Sequence, residues 1–154
     1  MAVQMELARI LIRELVDHQI IELREVGDGE TNGHAPESAS VFDAGETRRR
    51  FPIVIGLPEA MAIERRLKNV PINRPQTHDL LASIIRQLGG TLESISINDL
   101  SDHTFFATLN VRTSSGDLVE IDSRPSDAIA LGISERVPIY VEEHVLDGAL
   151  SDEM

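Results

Sequence analysis

The spacing of apolar residues changes once, near the middle of the chain, and that change restricts the fold more than any other feature. Leu80, Leu81, Ile84, Ile85 and Leu88 recur at helical spacing and stop at Gly89-Gly90, a pair suited to ending a helix. From Thr91 the period is two. Ile95 and Ile97 alternate with Ser94, Ser96 and Asn98, and Phe105, Ala107, Leu109 and Val111 alternate with Phe106, Thr108 and Asn110. Polar turns at residues 101–103 and 114–117 link these runs to a further strand at 118–122, giving an antiparallel meander with one buried face. Helix and meander each carry an apolar face that must be covered, so the chain is predicted to be α+β, a mixed, largely antiparallel sheet with about three helices packed on it.

The flanking segments extend this reading. Residues 5–15 fit either a helical stripe (Leu7, Ile10, Leu11, Leu15) or one face of a strand (Ala8, Ile10, Ile12). Their β-branched content favours a strand, paired as a hairpin with residues 19–26. Residues 27–40 (GDGETNGHAPESAS) carry the composition of a flexible loop insertion. FPIVIG at 51–56 reads as a buried strand, and Pro58 suits the first turn of a helix running to about residue 68, with Ala60, Ile63 and Leu67 inward. The helix after Pro75 takes Thr77 as its N-cap. A third helix begins near Pro125, and its AIALGI segment is apolar on all sides, which predicts burial. PIYV (138–141) is a last short strand, and the acidic residues from Leu146 onward are expected to fray. One domain over residues 1–147 with an acidic tail at 148–154 is the resulting organisation.

At 154 residues there is room for one core, since domains cluster at ~100–150 residues. Aromatics are only 3% of the chain and Trp is absent, so that core must be built from Leu, Ile, Val and Ala. The absence of cysteine excludes disulfides, thiolate zinc sites and cysteine nucleophiles. No Walker loop, dinucleotide glycine fingerprint or nucleophile elbow is present, so no organic cofactor is expected. With no signal-like N-terminus and no apolar run of membrane-spanning length, a cytoplasmic protein without a membrane partner is expected. The net charge of −12 opposes purely electrostatic binding of nucleic acid. Seven of the 14 basic residues nevertheless lie between Arg48 and Arg74, opposed there only by Glu59 and Glu64, so a locally positive face is compatible with the acidic total. Small size and the buried third helix lead us to expect a homo-oligomer.

Two short segments share one pattern. Arg74-Pro75-Gln76-Thr77-His78-Asp79 and Arg124-Pro125-Ser126-Asp127 both run Arg-Pro, hydroxyl residue and Asp into an apolar helix. A helix start attracts anions through its unpaired amides and positive dipole end, and an adjacent Arg adds a planar fork that matches phosphate oxygens. Asp residues in the same turn offer the hard oxygens that Mg²⁺ or Mn²⁺ prefer, and such an ion can polarise a phosphodiester and activate water. The same residues also have an ordinary use. Asp79 and Asp127 favour any helix dipole, Thr77 and Ser126 are common caps, and Arg74 and Arg124 can pair with Glu120 or Asp122. His78 is a candidate general base, metal ligand or phosphate partner, because imidazole changes charge near neutrality. Asp122, where a strand runs into the third helix, is a further candidate carboxylate, and Glu59 beside Pro58 is a weaker one, equally suited to the dipole of the first helix.

FPIVIGLPEAMAI (51–63), RPQTHDLL (74–81), DHTFFATL (102–109) and IDSRPSDAIAL (121–131), in this order and followed by PIYV, closely resemble the bifunctional nuclease domain, over roughly residues 5–145. The resemblance implies a mixed sheet flanked by helices and cleavage of RNA and DNA, with nucleic acid as substrate. Plant relatives carry an additional UVR-type interaction segment, which is not expected here because the chain ends soon after the core. On this basis Asp79, Asp122 and Asp127 are expected to supply metal ligands or a base for Mg²⁺- or Mn²⁺-assisted hydrolysis. Arg74 and Arg124 would clamp phosphate, with Thr77, His78 and Ser126 orienting it. The competing expectation is a non-catalytic regulatory module that binds an anionic ligand or a protein partner at the same helix starts.

Overall fold

The computed structural model describes residues 1–13, 15, 18–27 and 48–151, so the loop expected at 27–40 lies outside the described residues except for Gly27. Strand β1 (Ala2–Leu11) and strand β2 (His18–Glu25) form the expected hairpin, and β3 (Arg50–Gly56) continues it with Ile53 opposite Ile21 and Phe51 opposite Leu23. Two helices follow, α1 (Leu57–Leu67) and α2 (Thr77–Gln87). The meander is β4 (Thr91–Ser101), β5 (Thr104–Arg112) and β6 (Leu118–Ser123), and the chain then forms α3 (Pro125–Glu135), β7 (Ile139–Glu142) and α4 (Glu143–Ser151). All seven strands join one sheet in the order β3-β2-β1-β7-β4-β5-β6. Among the described residues only the β4–β7 pair is parallel. The class is α+β, as the change of period predicts.

The inner face is aliphatic, with Ile21, Leu23, Ile95, Ile97 and Val141 fully buried. The sheet coils strongly: Phe51 on the outermost strand β3 stacks on Phe105 of β5, ring centroids 5.5 Å apart, although the two strands lie far apart in sheet order. Into this curve goes α3, buried from Ser126 to Gly132 apart from the intermediate Asp127. A Cβ on Gly132 would lie 2.9 Å from Ile95 Cγ1, so only glycine lets the helix approach β4 this closely.

Four details depart from expectation. Residues 146–151 do not fray: they continue α4, with Val145 and Leu146 fully buried and Ala149 nearly so, because the apolar residues recur at helical spacing against β4 and β7; the last three residues of the expected tail lie outside the described residues. The N-cap of α2 is Gln76, and Thr77 is its first helical residue. Leu67 is half exposed while Ala62 joins Ala60 and Ile63 in the core. Finally, α2 buries Ala82 and packs Ile85 against the core, whereas Leu80, Leu81, Ile84 and Leu88 remain exposed. The side of α2 that meets α3 is the one carrying His78 and Ala82.

Candidate active site

Three helix starts converge. At α1 the chain turns at Gly56, with Pro58 and Glu59 in the first turn. The missing Cβ of Gly56 matters, because one there would sit 2.5 Å from Glu59 Oε2 and force that carboxylate aside. At α3, Arg124 is the N-cap with extended backbone, Pro125 opens the helix and Asp127 occupies the third position, where the dipole favours a negative charge. At α2, Gln76 caps the helix and His78 follows one residue into it.

Their side chains meet in one network. His78 Nε2 lies 2.9 Å from Asp127 Oδ1. Arg124 donates from Nε to Asp127 Oδ2 at 2.9 Å, and from Nη2 to Asp127 Oδ1 at 3.1 Å and to Glu59 Oε1 at 3.0 Å. One guanidinium thus ties α1 to α3, and one imidazole ties α2 to α3. The side chains of His78 and Glu59 are recessed, at 13% and 16% exposure, while that of Arg124 is 63% exposed. Of the five N–H donors of Arg124, three are spent on carboxylates, and the two on Nη1, which have no acceptor among the described residues, remain for an incoming anion. The network walls a pocket of about 410 Å³ that Arg65, Gln76 and Thr77 also line.

Electrostatics follow from these contacts. Burial pushes the Asp127 carboxyl up, but the hydrogen bonds and charges of Arg124 and His78 outweigh it and hold the group below its ordinary value. Arg124 is raised in turn, first by its bond to Asp127 and then by that to Glu59. Asp127 is therefore a permanent anion at neutral pH, and it fixes the imidazole ring.

The remaining candidates are placed elsewhere. Asp79 accepts the backbone N–H of Gln76 at 2.8 Å and pairs with Arg66, lining a separate depression with Arg86, Ser134 and Glu135. Adjacent helical residues point about 100° apart, so His78 and Asp79 cannot face the same pocket. Asp122 pairs with Thr108, whereas its neighbour Ser123 aligns with buried Ala107; strand alternation therefore turns Asp122 to the opposite face of the sheet. Arg74 is exposed on the loop between α1 and α2. Ser126 is buried and lines a neighbouring groove with Arg124. Arg65, one of the seven basic residues between Arg48 and Arg74, lines the pocket.

Among the described residues no group of three His, Asp or Glu side chains is arranged to hold a metal ion; Arg124 engages both oxygens of Asp127 and one oxygen of Glu59.

Residues 41–153 match the model of the bifunctional nuclease domain. The chain belongs to the bifunctional nuclease domain family. All four networked residues, Glu59, His78, Arg124 and Asp127, fall within the matched segment. An uncharacterized protein of Mycobacterium tuberculosis is 42% identical over 98 residues, covering 64% of this chain and 57% of the relative. Bifunctional nuclease 2 of Arabidopsis thaliana is 27% identical over 129 residues, covering 82% of this chain, and bifunctional nuclease 1 of the same plant is 26% identical over 140 residues, covering 86%. The chain spans 57% of the mycobacterial relative and 38% and 42% of the two plant proteins. Among the described residues, no helix of this family member is long and apolar enough to cross a membrane.

Proposed function

We propose that this domain hydrolyses phosphodiester bonds of RNA and DNA in the pocket where α1, α2 and α3 begin. The observation that carries the reading is the 2.9 Å contact of His78 with Asp127 beside an Arg that keeps two unused N–H donors. In this account Arg124 binds a non-bridging phosphate oxygen through Nη1, and Arg65 adds a second positive charge. Asp127 holds the imidazole through Nε2, so the other ring nitrogen of His78 is the one that faces substrate. A water oxygen bonds to phosphorus as its proton passes to His78; the P–O bond to the leaving nucleotide breaks, and that oxygen takes the proton back. Glu59 is a positioning residue, acting through Arg124.

The test is cleavage of end-labelled single-stranded RNA and DNA by wild type beside Asp127→Asn, with folding checked by melting temperature. General acid–base assistance contributes roughly 10²–10⁴-fold, so the Asn variant should lose at least a hundredfold in rate. Equal turnover by the two proteins would sink the reading. Absence of turnover, with a melting temperature raised by inorganic pyrophosphate, would favour a non-catalytic anion-binding module instead.

A further inference from the structure

A second groove opens on the other side of Arg124. It has a volume of about 530 Å³, within the ~300–1,000 Å³ of clefts that hold small organic ligands. One wall is β3 along its length from Pro52 to Gly56; the opposite wall is the β4–β5 hairpin at His103 and Phe105, and Arg124 and Ser126 close the end. Strand β3 is outermost in the sheet, and among the described residues its second edge pairs with no other strand. The lining mixes exposed apolar surface, Val54 being 61% exposed, with the imidazole of His103, which sits in a two-residue turn with φ of 63°. Apolar walls that carry aromatic rings suit the faces of nucleobases, which stack without regard to sequence.

Arg124 lines both cavities, so a ligand spanning them passes its phosphate across this guanidinium. Two observations restrict the form of that ligand. First, the groove offers apolar and aromatic surface, which can stack only on base faces left free in an unpaired strand. Second, the chain carries a net charge of −12, and a duplex presents two phosphate strands to it where a single strand presents one.

Resting on the phosphodiesterase reading above, we infer that the β3–His103 groove is the nucleobase subsite and that substrate enters as a single strand, bases against β3 and phosphate at Arg124. The experiment uses one oligonucleotide sequence, alone and as a blunt duplex, together with bis(4-nitrophenyl) phosphate, a diester too small to fill both cavities. Wild type should favour the single strand over the duplex at least tenfold in kcat/KM. Val54→Asp, at an exposed site on an outer strand, places a carboxylate in the groove. It should raise KM for the oligonucleotide at least fivefold more than KM for the small diester. His103→Asn removes the ring while suiting the same turn, and should act in the same direction. Equal cleavage of duplex and single strand, or parallel KM changes for the two substrates, would overturn the groove while leaving the hydrolytic site standing. Full activity in His78→Ala on the small diester would overturn the hydrolytic site, and the groove with it.

Discussion

Replacing Arg124 by Lys separates the two roles given to this side chain. The guanidinium makes three hydrogen bonds of 2.9–3.1 Å to carboxylates on two different helices. An ammonium keeps the charge but is a compact donor without the planar fork, so it can satisfy Asp127 or Glu59 in part and cannot present a further pair of N–H groups outward. The stability cost is small because the side chain is 63% exposed. Exposed pairs contribute ~0.2–1 kcal/mol each, so the loss should be about 1 kcal/mol, or about 2–4 °C in melting temperature for a chain of this size. The loss at the phosphate is larger. A hydrogen bond to a charged group is worth about 1.5–3 kcal/mol, which converts to roughly 10–150-fold in kcat/KM. Steady-state cleavage of a fluorescent single-stranded oligonucleotide, beside thermal denaturation, reads both quantities. A variant that melts 2–4 °C lower yet retains kcat/KM within threefold of wild type would refute the phosphate role and leave Arg124 as a structural clamp alone.

Other expectations follow from the same contacts. Because the folded-state pKa of Asp127 is depressed, its ion pairs stabilise the protein above the unfolded carboxyl value of ~3.9, and that contribution is lost as pH falls through the lower folded value. The melting-temperature gap between wild type and Asp127→Asn should therefore be open at pH 5 and close below about pH 4; a gap that widens in acid would contradict the assignment. Gly56→Ala keeps an ordinary backbone but displaces the Glu59 carboxylate, so its activity should match that of Glu59→Ala, with stability changed by less than about 1 kcal/mol. Leu146→Ala should cost ~2–5 kcal/mol in urea denaturation, since the side chain is fully buried under α4; a frayed segment would give a change near zero.

Local pattern was enough for the fold, because a change of period from helical to alternating is a property of neighbouring residues. It placed the meander, the α3 helix and the first hairpin. It misjudged α2, whose apolar stripe lies largely in solvent: which side of a helix faces inward depends on what it packs against. It also missed α4, where acidic residues hide the spacing of Val145, Leu146 and Ala149. For the site, the two Arg-Pro turns share a pattern that is visible in the sequence, and His78 at one helix start touches Asp127 at the other. Three details needed coordinates. Asp79 turns away by one helical step, Asp122 by one strand step, and Glu59 enters through a glycine whose missing Cβ leaves it room.

The most direct measurement is single-turnover cleavage of a labelled single strand by wild type and by His78→Ala, each purified identically and run with excess chelator. The proposed step uses no metal ion, so wild type should cut the strand under these conditions, and removal of the imidazole should slow cleavage by at least a hundredfold. Loss of wild-type cleavage in chelator, or equal rates for the two proteins, would contradict hydrolysis by the His78–Asp127 pair.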